Sequence, residues 1–150
     1  MVWAHSGDSR AYLFRDRMIA ARTSDHSLVQ QMVASGMVDE ETARLHPQRS
    51  ILLSALGAAA EDIEVTVSDA MRIEAGDDVL LCSDGIWEVL GDQRLTVCLA
   101  AAGSARQWAA AVEQAVLDAA KRDQDNFTGL FLRVQGDEAE QTRIVSMSGQ

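Results

Sequence analysis

Proline is nearly absent: Pro47 is the only one in 150 residues. Aromatic side chains are also scarce, at 5%. Apolar residues still make up 47%. That is enough for one packed core and too much for a disordered chain. There are only two cysteines, Cys82 and Cys98. Neither stands in a CxxC pair or beside a histidine, which argues against a zinc site. Both read as small core residues of a reducing compartment. Positive charge is short as well: 13 Lys and Arg against 23 Asp and Glu give a net charge of −10. This excludes the basic face that nucleic-acid binding or docking on anionic lipid requires. It suits a group of carboxylates that a divalent cation would partly neutralise. No secretory leader, long apolar span or lipidation motif is visible in the sequence. The expected location is therefore the cytoplasm, with neither nucleic acid nor membrane as a partner.

The richest stretch is Val79-Leu80-Leu81-Cys82-Ser83-Asp84-Gly85. Four apolar residues bounded by turn chemistry predict a strand buried on both faces. Asp84 then falls just past the strand end, beside a glycine that permits a tight turn. A carboxylate on a rigid strand end suits a hard cation.

Upstream, Val2 to Ser6 predicts a strand running into an acidic turn at Asp8. A second strand follows over Ala11 to Arg15, a tight turn at Asp16-Arg17, and a return strand over Met18 to Arg22. From Thr23 to Gln48 the pattern becomes helical. Leu28, Met32 and Val33 fit one helix face, with Ser24-Asp25 as its cap and Gly36 as its stop. Asp39 caps a second short helix through Leu45, and Pro47 discourages its continuation. Such a helical excursion from a sheet often serves as a flap or lid.

Strand-like composition returns over Ser50 to Leu56, and Glu64 to Ser68 alternates as a half-buried strand. A short helix is expected over Asp92 to Ala102. Ser104 and Gln107 form a capping box. The helix that follows carries Trp108, Val112, Ala115, Val116 and Ala119 on one face, to about Arg122. Asp123 to Asn126 is a second acidic loop, and Phe127 to Val134 is the last strand. Residues 135–150 have no clear period and read as a frayed tail.

Three acidic turns thus lie at strand margins, at Asp8, Asp84 and Asp125. Each alone is compatible with an ordinary Asx turn. Their order and spacing are more specific. Gly7-Asp8-Ser9-Arg10, Asp25-His26-Ser27, Ser83-Asp84-Gly85-Ile86-Trp87-Glu88 and Asp125-Asn126-Phe127-Thr128 closely resemble the motifs of the bacterial PPM (protein phosphatase 2C-type) metal-dependent serine/threonine phosphatases.

The resemblance implies an α+β fold, part of a four-layer α-β-β-α sandwich with two antiparallel sheets flanked by helices. It covers residues 1–134, with the flap over about 24–49. It also implies two Mn²⁺ or Mg²⁺ ions, and a third weaker one, that activate a water for hydrolysis of phosphoserine and phosphothreonine on proteins. Asp84 and Asp125 would ligate a core metal, and Asp8 with Asp84 a third. Asn126 would order the Asp125 loop through its side chain, Ser83 and Gly85 would shape the turn, and Glu88 would lie near the metals. The partners implied are phosphoproteins and a cognate serine/threonine kinase. His26 and Arg10 are expected in structural roles, Arg10 in an ion pair.

One departure stands out. The family's N-terminal strands are missing. With them go an acidic residue, a phosphate-binding arginine and an Asp-Gly-x-Gly-Gly turn whose Asp bridges the metals. These 150 residues are therefore expected to be inactive or weakly active alone. The competing expectation is a non-catalytic phosphatase-like module that binds a phosphoprotein or kinase; a gene fragment that does not fold is the third.

Overall fold

The computed structural model describes residues 1–119 and 125–136, and residues 145–149 as backbone. The chain read as one domain forms two compact units. The first contains Met1, Arg10–Arg22 and the residues from Met71 on; the second contains Val2–Ser9 and Thr23–Ala70.

The first unit is a five-stranded antiparallel sheet backed by two helices. Its strands are β2 (Arg10–Arg15), β3 (Met18–Arg22), β5 (Asp78–Cys82), β6 (Phe127–Arg133) and β7 (Val145–Gly149), in the order β3-β2-β5-β6-β7. The β2–β3 turn is built as expected: Asp16 and Arg17 take φ of 50° and 63°. Positive φ at both central residues is the conformation that matches strand twist. Helices α3 (Asp84–Ala100) and α4 (Ala105–Ala119) cover one sheet face. The core there is Tyr12, Phe14, Leu80, Phe131, Ile86, Leu95, Leu99, Trp108, Val112 and Val116, all essentially inaccessible to solvent. Tyr12, Leu80 and Phe131 are cross-strand neighbours. Trp108 meets Phe14 and Phe131 edge-on, with ring centroids 5.2 and 4.8 Å away.

The α4 cap forms as expected. The Gln107 amide donates to Ser104 Oγ, and the Gly103 amide donates to Gln107 Oε1. At the sheet end remote from Asp84, Arg15 grips Asp77 with bonds of 2.9 and 2.7 Å. There Arg133 also grips Asp78, at 2.7 and 3.0 Å. The Arg15 guanidinium holds the Asp77 carboxyl below the usual carboxylate range. That stabilisation is present above the unfolded-state pKa and is lost as pH falls through the folded-state value.

The second unit holds a two-stranded ribbon, β1 (Ala4–His5) with β4 (Thr66–Val67), and helices α1 (Leu28–Ala34) and α2 (Glu40–Arg44). A single 3₁₀ turn lies at Ala60–Asp62. The α1 cap is Ser27, not Ser24-Asp25: its hydroxyl accepts from the Gln30 amide. Gly36 closes α1 at φ 73°. Its amide reaches Val33 O and the Met37 amide reaches Met32 O, both at 2.9 Å, which is a Schellman closure. Asp39 caps α2 through a 2.7 Å bond from the Thr42 amide.

Four expectations need correction. Asp84 is not in a turn after the strand; it is the first residue of α3, capped at Ser83. The carboxylate in the first turn favours that start; Ser83 holds the cap position without a side-chain cap bond. The helix read from Asp92 is present as expected: non-helical Gly91, with φ 65° and ψ 170°, separates it from the stretch that begins at Asp84. The strand over Val79 to Cys82 is not buried on both faces, because Leu81 is 42% exposed. Residues 50–56 form no strand and contribute one isolated bridge, Ser27 with Leu52, while the strand read over Glu64 to Ser68 shrinks to Thr66–Val67 and is exposed. Finally, the tail read over 135–150 contains β7, paired with β6 from Phe127↔Gly149 to Phe131↔Val145. The alternation Val145-Ser146-Met147-Ser148 carries the two-residue period of a strand, hidden by the scarcity of large apolar residues. Asp123 and the end of the α4 stretch, residues 120–124, lie outside the described residues.

Candidate metal centre

Strand register brings the two acidic motifs together. Cys82 of β5 lies opposite Gly129 of β6. One step further, the Ser83 amide donates to Thr128 O at 3.0 Å. The Thr128 amide returns a bond to Ser83 Oγ at 3.1 Å. The end of β5 is thereby clamped beside the start of β6, which places Asp84 next to Asp125-Asn126 although they are far apart in sequence.

Gly85 allows the approach to be close. A Cβ built there would stand 2.4 Å from Asn126 O and 2.9 Å from Phe127 Cβ. The first turn of α3 therefore rests directly on the backbone entering β6. Each carboxylate is also tethered locally. The Gly85 amide donates to Asp84 Oδ1 at 2.8 Å, and the Asn126 amide donates to Asp125 Oδ1 at 2.7 Å.

The electrostatics are one-sided. Partial burial pushes the Asp84 carboxyl above the usual range, and the nearby Asp125 and Glu88 carboxylates push it further. The amides of Gly85 and Asp84 oppose this. A raised folded-state pKa means that Asp84 costs stability as pH rises through that window. A bound cation would relieve that cost. Two coupled carboxylates on fixed backbone are oxygen donors of the kind that Mg²⁺ and Mn²⁺ take.

The neighbouring residues hold α3 in place. The Arg10 guanidinium lies 3.5 Å from the Trp87 ring centroid. It also donates to the Tyr12 hydroxyl at 3.2 Å. Tyr12 donates to Asp92 Oδ1 at 3.1 Å, and Arg22 approaches the same carboxylate at 3.4 Å. Burial pushes the Tyr12 phenol up, so it remains a donor. Asp92, just past the Gly91 break, is the anchoring residue that sequence reasoning missed; its only sequence signal was a carboxylate directly after a glycine. Asn126 acts here through its backbone, by its amide and its carbonyl.

Asp8 lies in the second unit, in the bend after Gly7. There the Gly7 amide donates to His26 Nδ1 at 3.3 Å, so His26 Nε2 carries the proton and donates to Thr66 Oγ1 at 2.8 Å. His26 also stacks on His5 with ring centroids 4.6 Å apart. These contacts give His26 the structural role expected of it. Among the described residues, no group of three or more His, Cys, Asp or Glu side chains is placed to hold a metal.

No family model matches the chain. The chain is 39% identical, over 95 residues, to the Mycobacterium tuberculosis serine/threonine protein phosphatase PstP, covering 63% of this chain and 18% of PstP. The Streptococcus agalactiae serine/threonine phosphatase structure superimposes with a TM-score of 0.79 at 28% identity, over 89% of this chain and 54% of that one. A PstP catalytic domain solved with two manganese ions gives a TM-score of 0.71 at 28% identity, over 90% and 54%. The chain is homologous to the PPM-type serine/threonine phosphatases. It spans about half the length of the solved phosphatase domains it matches. Its two antiparallel sheets and accompanying helices match the PPM phosphatase structures.

Proposed function

We propose that the chain is part of a PPM-type phosphatase domain that carries Mn²⁺ or Mg²⁺ on Asp84 and Asp125, with Asp8 contributing to a further, weaker ion. The single observation behind this reading is the convergence of Asp84 and Asp125 at one strand end, where the Asp125 and Glu88 carboxylates push the Asp84 carboxyl up. When bound, such a cation lowers the pKa of a coordinated water and polarises a phosphoryl oxygen. The residues of the chain supply the setting. Asp84 and Asp125 present oxygens fixed by the Gly85 and Asn126 amides. Ser83 and Gly85 lock their separation, and Glu88 adds negative charge one turn along α3. The substrates are phosphoserine and phosphothreonine on cytoplasmic proteins, opposite a serine/threonine kinase. α1 and α2, in the segment read as a flap, stand for the substrate-selecting part.

A second reading is a phosphatase-like module that binds phosphoproteins without turnover. Hydrolysis of p-nitrophenyl phosphate with Mn²⁺ separates the two. The catalytic reading expects detectable turnover at least ~100-fold below an intact relative, since one missing electrostatic group costs about 10²–10³ in rate. Asp84→Asn and Asp125→Asn should each remove it. Residual turnover that survives both substitutions would overturn the ligand assignment, and its complete absence, with phosphopeptide binding retained, would establish the module.

A further inference from the structure

Helix α3 is two segments rather than one rod. Gly91, with φ 65° and ψ 170°, parts the stretch that carries Asp84 from the stretch that starts at Asp92. Such a φ suits glycine and strains other residues. The first segment runs only from Asp84 to Leu90, and its start rests on Asn126 through Gly85. One side chain reaches both segments. Arg10 stands opposite Cys82, beside the end of β5. Its guanidinium lies 3.5 Å from the Trp87 ring centroid, on the first segment. It also lies 4.0 Å from Asp92 Oδ1, on the second. It donates to the Tyr12 hydroxyl, which donates to that same Asp92 oxygen. Arg22 approaches the other oxygen, Oδ2, at 3.4 Å.

A single carboxylate therefore reconciles two guanidinium groups. Without its charge, Arg10 and Arg22 face each other with only repulsion between them. The Arg10 side chain is 10% exposed, so water and salt screen that repulsion poorly. The contact of Arg10 with Trp87 depends on a flat guanidinium placed over the ring, and a displaced Arg10 loses it. Trp87 lies one turn along the same segment as Asp84, and the break at Gly91 keeps the second segment from holding the first in line. We propose that Asp92 is a positioning residue for the candidate metal centre: it holds Arg10 over Trp87 and so fixes the segment that presents Asp84 to Asp125. The inference deepens the metal reading and rests on it only where the ion is concerned.

The test uses the isotope-labelled full chain, the variants Asp92→Asn and Trp87→Leu, and the double variant. The Mn²⁺ concentration that half-broadens the Gly85 and Asn126 amide signals should rise ~10-fold in each single variant, the cost of losing a group that orients a ligand. Both variants cut the same route, so the double variant should be no worse than either single one. Independent effects would multiply to ~100-fold, and that result would overturn the route through Arg10. An unchanged midpoint in Asp92→Asn would overturn the proposal outright. Residual dipolar couplings of the backbone amides in EDTA give a readout without metal. Those of residues 85–90 should change in Asp92→Asn while those of β5 and β6 stay the same; unchanged couplings along 85–90 would also overturn it. If Mn²⁺ broadens neither signal in the unaltered chain, the metal reading alone fails, and the couplings still decide whether Asp92 sets the segment. Urea unfolding checks that each variant is folded, and if Asp92→Asn is not, Trp87→Leu carries both measurements.

Discussion

Gly85→Ala should destabilise the chain by about 3 kcal/mol, at the upper end of overpacking costs. Two effects compete at this position. Alanine is the better helix former by about 1 kcal/mol, and Gly85 lies in the first turn of α3. Against that, the new methyl would meet Asn126 O at 2.4 Å and Asn126 C at 3.1 Å. Those atoms belong to the backbone entering β6, so relief requires a shift of the strand rather than a rotamer change. The clash wins, and it displaces the residue that carries Asp125. Gly129→Ala is the control. Its methyl would meet Phe131 Cε2 at 2.7 Å and Ile86 Cδ1 at 2.9 Å, side-chain rather than backbone atoms but fully buried ones, so a smaller cost of about 2 kcal/mol is expected. Urea unfolding of both variants at neutral pH measures the difference. Equal costs would show that the approach of α3 to β6 is not the tight contact described here.

Trp108→Ala should cost about 3–5 kcal/mol, a large share of the ~5–15 kcal/mol that holds a domain together. The side chain is fully buried, wedged edge-on between Phe14 and Phe131. Those two rings come from β2 and β6, so the indole ties α4 to strands on both sides of β5. Its Nε1 is buried and has no hydrogen-bond partner among the described residues. The indole therefore contributes volume and ring contacts but no polar bond. Trp108→Phe should accordingly cost less than about 1.5 kcal/mol, as a swap that keeps an aromatic ring in place. Thermal and urea unfolding decide this. A phenylalanine variant as unstable as the alanine variant would mean that the indole nitrogen matters after all.

Much of this was legible in the sequence where local chemistry decides structure. The Asp16-Arg17 turn, the Asp39 cap, the Gly36 stop and the Ser104–Gln107 box all depend on neighbouring residues, and all formed. Legibility failed where tertiary context decides. Nothing local distinguishes a turn at Ser83-Asp84-Gly85 from a helix start, because cap and turn residues are the same types. The contact of Gly85 with Asn126 settled it, and that contact is long-range. The burial of β5 on both faces was overstated because an apolar run reports hydrophobicity, not coverage: Leu81 is apolar and exposed. At the candidate site, the pairing of Asp84 with Asp125 was readable from the motifs, whereas the Asp92 anchor was not. Its partners Arg10, Tyr12 and Arg22 reach it only after β2 and β3 fold against α3.

Substoichiometric Mn²⁺ added to isotope-labelled chain broadens the amide signals of residues around the bound ion. The Gly85 and Asn126 signals should broaden together at the same low Mn²⁺ concentration. Asp84→Asn and Asp125→Asn should each abolish the broadening at both positions. Broadening at one position that survives loss of the other carboxylate, or broadening centred elsewhere in the chain, would contradict a shared cation.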